Sequence, residues 1–253
     1  MAALNGVRQC ARMIADKPTF VVLAGCGRGE EIPVMRRVWR GCKIVGIEPL
    51  NEHWRVMGHN ECEPDVFIRG AVWHTSGETL NFQLNYEPDQ RATIYRLPIE
   101  LPGAITREIR TVTLDEVVER HGPLPPETSI LWMDIEGGEF EALRASQTIA
   151  DAAFRWINLE VSFTPARIAP PWFHTIEVLQ TSGYRLFGIH SVSKSGRQCD
   201  AVFLRATEWE ARNRDTTDRS VRRKLERLAA GRGRVQGTYR HPEDDPDDES
   251  ADQ

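Results

Sequence analysis

The chain has 253 residues, of which 40% are hydrophobic and 27% charged, and its formal net charge is −5. These values exclude a fibrous or wholly disordered chain, and the charge gives no general attraction to nucleic acid or anionic lipid. Five scattered cysteines without a Cys-x-x-Cys pair predict reduced thiols. Residues 1–17 lack the apolar core of a signal peptide, and no stretch approaches the roughly 20 apolar residues of a membrane span, so we expect a cytoplasmic protein.

Short β-rich runs alternate with helical patterns between residues 20 and 205. The predicted strands are 20–24, 43–47, 66–69, 130–134, 156–161, 184–189 and 201–205, and the predicted helices are 30–39, 52–59, 114–120, 139–146 and 172–181. This alternation predicts an α/β fold with a mostly parallel seven-stranded sheet and helices on both faces. Right-handed crossovers place the carboxyl ends of the parallel strands at one edge, where open α/β sheets bind ligands.

The pattern predicts one large domain, residues 1–206, followed by two short segments. Inside the domain, residues 79–113 break the alternation, which predicts a strand-rich insertion or a flap. Residues 207–230 predict a charged helix; its acids are interleaved with arginines, which favours a solvated helix over a nucleic-acid face. Residues 231–253 are rich in Gly, Pro and acids and are predicted to be a disordered acidic tail.

A glycine-rich segment separates the first strand from the helix that follows it. Its candidate cofactor-binding residues are Gly25, Cys26, Gly27 and Gly29. Glycines permit a tight turn and let a cofactor lie against bare backbone, although an ordinary strand-to-helix turn has the same composition. Glu48 follows 23 positions after Gly25, at the tip of the second strand, where an acid can accept both hydroxyls of a ribose. Together they predict a nucleoside cofactor and leave NAD and S-adenosylmethionine open.

Two motifs of competing enzyme classes are absent from the sequence. No tyrosine begins a Tyr-x-x-x-Lys motif, which argues against a short-chain dehydrogenase, and no Gly-Lys-Ser/Thr phosphate loop occurs. Hydride and phosphoryl transfer are therefore disfavoured, and an NAD-dependent oxidoreductase stays as an alternative.

Four segments in a fixed order resemble the FkbM family of S-adenosylmethionine-dependent methyltransferases. They are residues 25–29, Ile47-Glu48-Pro49, Thr113-Leu114-Asp115-Glu116 and Trp132-Met133-Asp134-Ile135-Glu136-Gly137-Gly138-Glu139-Phe140, and Asn60 and Gly70-Ala71-Val72 also fit the pattern. The resemblance spans roughly Val21 to Arg205. It implies a Rossmann-like class I methyltransferase fold, S-adenosyl-L-methionine as cofactor, and Ala71 near the adenine. One departure is Leu23, which stands where the family often has an acid.

The resemblance further implies methyl transfer, and we expect an acceptor hydroxyl on a sugar, polyketide or other small-molecule natural product. A small-molecule acceptor is the expected partner, and no nucleic-acid or membrane partner is expected. A catalytically silent cofactor-binding or interaction protein remains an alternative because of Leu23. The oligomeric state is not indicated by the sequence.

Three acids near the ligand edge are the candidate catalytic residues: Asp134, Glu136 and Glu160. An alcohol oxygen needs a base within hydrogen-bond reach of its proton, and Asp134 ends a predicted strand at that edge. The alternatives are that Asp134 caps the next helix or contacts the cofactor, and that Glu136 complements the helix N-terminus. We expect Glu139 and Glu141 on a solvated helix face. Two of the candidate acids could also hold a divalent metal, which nothing in their spacing demands.

Other residues are expected to have structural roles. His74 and His190 are predicted surface or turn residues. Most of five tryptophans are predicted core residues: Trp39, Trp54, Trp132, Trp156 and Trp172.

Overall fold

The computed structural model describes residues 2–14, 16–59, 62–84, 92–93, 105–122, 125, 127–162, 172–193 and 198–215. The chain divides into two compact units, residues 1–209 and 210–253, and all β-strands given below belong to the first unit. Asn60, residues 216–230 of the predicted charged helix and the predicted tail lie outside the described residues.

Helices and strands alternate along most of the first unit. The helices of the described residues are α1 (Ala2–Met13), α2 (Ile32–Val38), α3 (Asn51–His59), α4 (Leu114–His121), α5 (Glu139–Arg144), α6 (Gln147–Ala150), α7 (Trp172–Thr181) and α8 (Ala206–Asp215). The strands are β1 (Phe20–Ala24), β2 (Lys43–Ile47), β3 (Val66–Ile68), β4 (Ala71–Val72), β5 (Thr79–Leu84), β6 (Ala92–Thr93), β7 (Ile105–Val112), β8 (Ser129–Met133), β9 (Trp156–Ser162), β10 (Tyr184–His190) and β11 (Gln198–Arg205).

A seven-stranded sheet forms the centre of this unit, with the strand order β10-β11-β9-β8-β1-β2-β3. The neighbours from β9 to β3 are parallel, and β11 runs antiparallel to both β9 and β10. The chain passes outward from β1 to β3 and later returns on the other side of β1 as β8. The strand order therefore reverses between β1 and β8, and such reversals leave a crevice at the carboxyl ends of the strands.

Alternate residues of the buried strands contribute to two hydrophobic cores on opposite faces of the sheet. Val22 of β1 belongs to the core that also contains Leu114 of α4 and Leu143 of α5. Val21 belongs to the other core, with residues of α1 and α2. Because both faces are covered by helices, the central strands are continuous apolar runs, and this is why they could be recognised in the sequence.

The sequence prediction of an α/β protein with a mainly parallel central sheet is confirmed, and the antiparallel β11 makes the sheet mixed. The predicted helix at 30–39 begins two residues later, at Ile32, because the glycine loop continues as turns through residue 31. The prediction of a mainly buried set of tryptophans holds for Trp39, Trp132 and Trp156, whereas Trp54 is 45% and Trp172 39% exposed. None of the helices in the described ranges is long and apolar enough to cross a membrane.

The predicted helix at 139–146 ends two residues early, as α5 at Arg144, and a short helix that was not predicted, α6, follows it. Asp115 of α4 accepts hydrogen bonds from the Ser146 hydroxyl at 2.8 Å and from the backbone N–H groups of Gln147 and Thr148 at 3.0 and 2.8 Å. The first N–H groups of a helix have no partner within the helix, so these bonds stabilise a new helix start at this point. The Asp115 of the Thr-Leu-Asp motif thus has a structural role.

Three strands of the segment 79–113 join β4 in a second sheet with the order β4-β7-β5-β6. β5 and β7 pair antiparallel from Thr79 opposite Arg110 to Leu84 opposite Ile105. Residues 85–91 and 94–104 of this segment lie outside the described residues. β4 follows directly after β3 in the chain and pairs with β7. The second sheet therefore begins at the carboxyl edge of the central sheet.

Candidate functional site

A cleft opens at the carboxyl ends of β1, β2 and β8, where the strand order reverses. Its empty volume is about 970 Å³, including the part that is open to solvent. The predicted site residues that line it are Gly25, Cys26, Gly27, Glu48, Ala71, Asp134 and Glu136. Gly29 and Glu160 are not among the lining residues. The cleft therefore brings together most of the predicted cofactor residues and two of the three predicted catalytic acids.

The glycine loop needs its glycines for two different reasons. Gly25, Gly27 and Gly29 all have positive φ angles, of 79°, 51° and 75°, which other residues rarely adopt. At Gly25 a Cβ would also approach the backbone oxygen of Asp134 to 1.8 Å, so the loop and the end of β8 are in close contact. At Gly27 a Cβ would meet no atom within 4 Å. The backbone of Gly27 consequently faces open space at the cleft.

Glu48 is buried at the tip of β2 and is held on both of its oxygens. Only 4% of the residue is exposed. Its Oε2 accepts the Gly27 N–H at 2.8 Å, and its Oε1 accepts the Leu50 N–H at 3.0 Å and lies 3.2 Å from Nδ1 of His53. A carboxylate has about four lone-pair sites, and three are used here. Glu48 therefore fixes the glycine loop against β2 and keeps one acceptor site on Oε2 for a ligand hydroxyl.

A small apolar cluster lies beside Glu48. Leu50, Ala71 and Phe82 are buried together and Ile109 packs against them. The first three of these residues also line the cleft. Phe82 is contributed by β5, so the second sheet supplies one wall of the cleft. An apolar wall next to an acid with an open acceptor site suits a flat ring joined to a ribose.

The loop after β8 is organised by Glu139. The Oε1 of Glu139 accepts the backbone N–H groups of Ile135 at 3.1 Å and of Gly137 at 3.3 Å, and only 9% of the residue is exposed. Burial raises the pKa of Glu139 to about 7. The expectation of a solvated Glu139 is therefore wrong, because its side chain turns back from α5 to bind the preceding loop. Glu136, which this loop carries, has a positive φ of 56°.

Asp134 and Glu160 form a carboxyl pair at the ends of β8 and β9. They directly follow the paired residues Met133 and Leu159 in the parallel ladder, and their side chains are hydrogen bonded to each other. Burial raises the pKa of Asp134 to about 6; burial and neighbouring carboxylates, above all Asp134, raise the pKa of Glu160 to about 9. At neutral pH the pair therefore retains one proton, which Glu160 donates to Asp134. The Oδ1 of Asp134 is buried and has no hydrogen-bond partner among the described residues.

Two further polar side chains lie beside the Asp134–Glu160 pair, one on each of the next two strands of the sheet. Asp200 of β11 lies opposite Glu160, and His190 of β10 lies opposite Asp200, so the three side chains share one face of the sheet. His190 lies 2.7 Å from Oδ1 of Asn158 through Nε2 and 3.5 Å from Asp200 through Nδ1. Burial lowers the pKa of His190 to about 4 and raises that of Asp200 to about 7. The expectation of a surface or turn role for His190 is wrong, because this histidine is buried.

Several lining residues lie outside the motifs that stand out in the sequence. Leu50 and His53 follow Glu48 by two and five positions, so the turn and first helical turn after β2 bring them back to its carboxylate. Phe82 carries no local signal, because its place in the cleft depends on the pairing of β5 with β7. Asp200, which does not line the cleft, lies beside Glu160 because β11 and β9 pair in antiparallel register.

The chemistry of a metal site is not evident in the part of the chain that the structure describes. No group of three or more His, Cys, Asp or Glu side chains there is arranged to hold a metal ion. The carboxyl pair is instead joined by a hydrogen bond, which requires a proton between the two groups.

Comparisons with known proteins agree with this arrangement at the level of the family. The model of the methyltransferase FkbM domain matches residues 26–186, which include residues 26–29 of the glycine loop, Glu48 and the Asp134–Glu160 pair. A comparison with curated proteins gave no match.

Solved structures similar to this chain include three proteins of distant sequence. Aeropyrum pernix fibrillarin in complex with S-adenosyl-L-methionine is 10% identical with a TM-score of 0.45, over 80% of this chain and 76% of that chain. The mitomycin 7-O-methyltransferase MmcR is 13% identical with a TM-score of 0.44, over 81% of this chain and 54% of that chain. A putative RNA methyltransferase from Pyrococcus horikoshii is 12% identical with a TM-score of 0.43, over 81% of each chain. Because these TM-scores are below 0.5, the assignment depends on the family match, and by that match the chain belongs to the FkbM methyltransferase family.

Proposed function

We propose that this protein is an S-adenosyl-L-methionine-dependent O-methyltransferase with a Rossmann-like class I methyltransferase fold, acting on a hydroxyl of a small-molecule acceptor. The acceptor class is a sugar, a polyketide or another natural product, and no nucleic-acid or membrane partner is part of the proposal. One observation carries it: a single cleft joins Glu48, which suits a ribose, to Asp134, which suits an acceptor proton.

The nucleoside half of the cofactor fits the Glu48 end of the cleft. The Oε2 of Glu48 keeps an acceptor site for a ribose hydroxyl, and the open backbone of Gly27 leaves room beside it. The buried cluster of Leu50, Ala71 and Phe82 offers apolar surface to the adenine. No phosphate-binding feature is needed for this cofactor, and the sequence holds no Gly-Lys-Ser/Thr phosphate loop.

When bound, S-adenosyl-L-methionine supplies a methyl group that is already activated by its sulfonium. The protein then has to orient an acceptor oxygen, exclude water and remove one proton. We assign the proton acceptor to Oδ1 of Asp134, because Asp134 lines the cleft and this oxygen has no hydrogen-bond partner among the described residues. A hydroxyl that enters the cleft can donate to it, and the proton moves to Asp134 as the oxygen attacks.

Glu160 positions this base, and Glu136 has a separate role. Glu160 donates its proton to Asp134, which holds the orientation of the Asp134 carboxylate and leaves Oδ1 to the acceptor. Glu136 lines the cleft from a left-handed backbone conformation, and such conformations cluster at functional sites because the surrounding structure must hold them. We propose that Glu136 contacts the acceptor.

Methyl transfer to a panel of sugar, polyketide and amine acceptors tests the proposal, with products identified by mass spectrometry. We expect O-methyl products, and Asp134→Asn should lower kcat by roughly 10²- to 10⁴-fold, the usual contribution of a general base. The control is Glu119→Gln, an exposed acid of α4. Methylation of amines alone, or an Asp134→Asn variant as active as Glu119→Gln, would contradict the assignment. Cofactor binding without any product would favour the catalytically silent alternative.

A further inference from the structure

The end of β1 carries no charge into the cleft. Leu23 is fully buried in the hydrophobic core that also contains Ile32 of α2. Its neighbours in the ladder, Gly46 of β2 and Trp132 of β8, are also uncharged. The amino-acid end of the proposed cofactor has an ammonium group, and a partner for this group must therefore come from another element.

Glu31 is the acid that the fold places at this part of the cleft. It lies directly before α2, two residues after the glycine loop, and it lines the cleft. Although Glu31 occupies the N-cap position of α2, its side chain makes no capping hydrogen bond. A partly buried acid at a helix start that does not cap the helix is available to a cationic group.

The charges that act on Glu31 are all negative. The pKa of Glu31 is raised to about 7, mainly by burial and in part by the carboxylates of Asp134, Glu30 and Asp200, while a backbone hydrogen bond acts against the rise. These groups come from the end of β8, the glycine loop and β11. A bound cation would offset both the burial and the repulsion, so this arrangement is stabilised by a positively charged ligand group.

We propose that the Glu31 carboxylate binds the ammonium group at the amino-acid end of the cofactor, in place of an acid at position 23. This inference rests on the proposed function. The other acids of the cleft are less suited: Glu48 is engaged by two backbone N–H groups, Asp134 is paired with Glu160, and Glu136 is assigned to the acceptor. Glu30 is exposed.

Two nucleosides that differ at the amino-acid end provide the test. S-adenosylhomocysteine has the ammonium and carboxylate groups, whereas 5′-methylthioadenosine lacks both. Calorimetric titration of the full chain should show that Glu31→Gln weakens S-adenosylhomocysteine binding by about tenfold or more, as expected for loss of a hydrogen bond to a charged group. Binding of 5′-methylthioadenosine should stay within about twofold of wild type, because the nucleoside contacts are intact. The matched control is Glu30→Gln, an adjacent acid that lines the same cleft and should change neither affinity by more than about threefold.

The outcomes separate this inference from the proposed function. Retained 5′-methylthioadenosine binding shows that Glu31→Gln is folded. If both nucleosides are weakened equally, if S-adenosylhomocysteine is not weakened, or if it binds more tightly, Glu31 does not bind the ammonium and only this inference is overturned. If wild-type protein binds neither nucleoside, the proposed function fails and the inference fails with it.

Discussion

Replacement of Glu139 by alanine tests how the loop that carries Asp134 and Glu136 is held. The side chain of Glu139 is the acceptor for two backbone N–H groups, those of Ile135 and Gly137. Each partly buried donor left without an acceptor costs about 1–3 kcal/mol, so Glu139→Ala should lower the free energy of unfolding by about 2–6 kcal/mol if the loop stays closed. If the loop opens instead, the loss of stability will be smaller and affinity for S-adenosylhomocysteine will fall.

Urea denaturation followed by far-UV circular dichroism measures the stability, and calorimetry measures the affinity. Glu139→Gln keeps an acceptor oxygen and should lie within about 1.5 kcal/mol of wild type, near the net value of one hydrogen bond. Glu141→Ala is the matched control on the same helix, where the acid pairs with the side chains of His74 and Arg144. It should cost no more than about 0.5 kcal/mol. An equal effect of Glu139→Ala and Glu141→Ala on both stability and affinity would refute the assignment of Glu139 as the organiser of this loop.

Three further predictions follow from the geometry. Gly25 and Gly41 share a φ of 79°, but of the two only a Cβ at Gly25 would meet backbone atoms. Gly25→Ala should therefore abolish nucleoside binding or folding. Gly41→Ala should cost about 1–2 kcal/mol of stability in a thermal melt. The rate of methyl transfer should rise with pH through about 6, as the Asp134 and Glu160 pair loses its first proton, and fall above about 9, as the pair loses its second. A flat pH profile of the rate from about 5 to about 10 would contradict the shared proton. Burial acts to raise the pKa of Asp115, but its hydrogen bonds to the start of α6 lower it overall, so this carboxylate stabilises the fold above its unfolded pKa and less as pH falls through its folded pKa. Asp115→Ala should therefore lower stability at pH 7 by about 1–3 kcal/mol in urea titrations, and its effect should become smaller as the pH falls below the unfolded pKa of this carboxyl.

The architecture was predictable because its signals are local. The strands that are buried on both faces are continuous apolar runs, and the boundaries of β1 and β2 coincide with those predicted. The glycine loop and Glu48 are likewise short-range features, because the loop must turn between β1 and α2 and the acid must follow β2. Their meeting in space then follows from the pairing of β1 with β2.

The chemistry of the site was less predictable because it depends on contacts between distant segments. Glu139 could be placed on a helix from its sequence neighbours, but nothing local indicates that its side chain turns back onto the loop. Phe82 enters the cleft through the second sheet, and Asp200 reaches Glu160 through an antiparallel register. Burial then alters the protonation of these acids, and burial is a property of the folded chain.

Calorimetric titration with S-adenosylhomocysteine and, separately, with NAD tests the central claim most directly. We expect saturable binding of S-adenosylhomocysteine alone, weakened roughly tenfold or more by both Glu48→Gln and Glu48→Ala, since both remove the charge that a ribose hydroxyl would meet. Glu52→Ala, which alters an exposed acid of α3, should bind like wild type. Binding of NAD instead of S-adenosylhomocysteine, or of neither compound, would contradict the claim that this cleft holds the methyl donor.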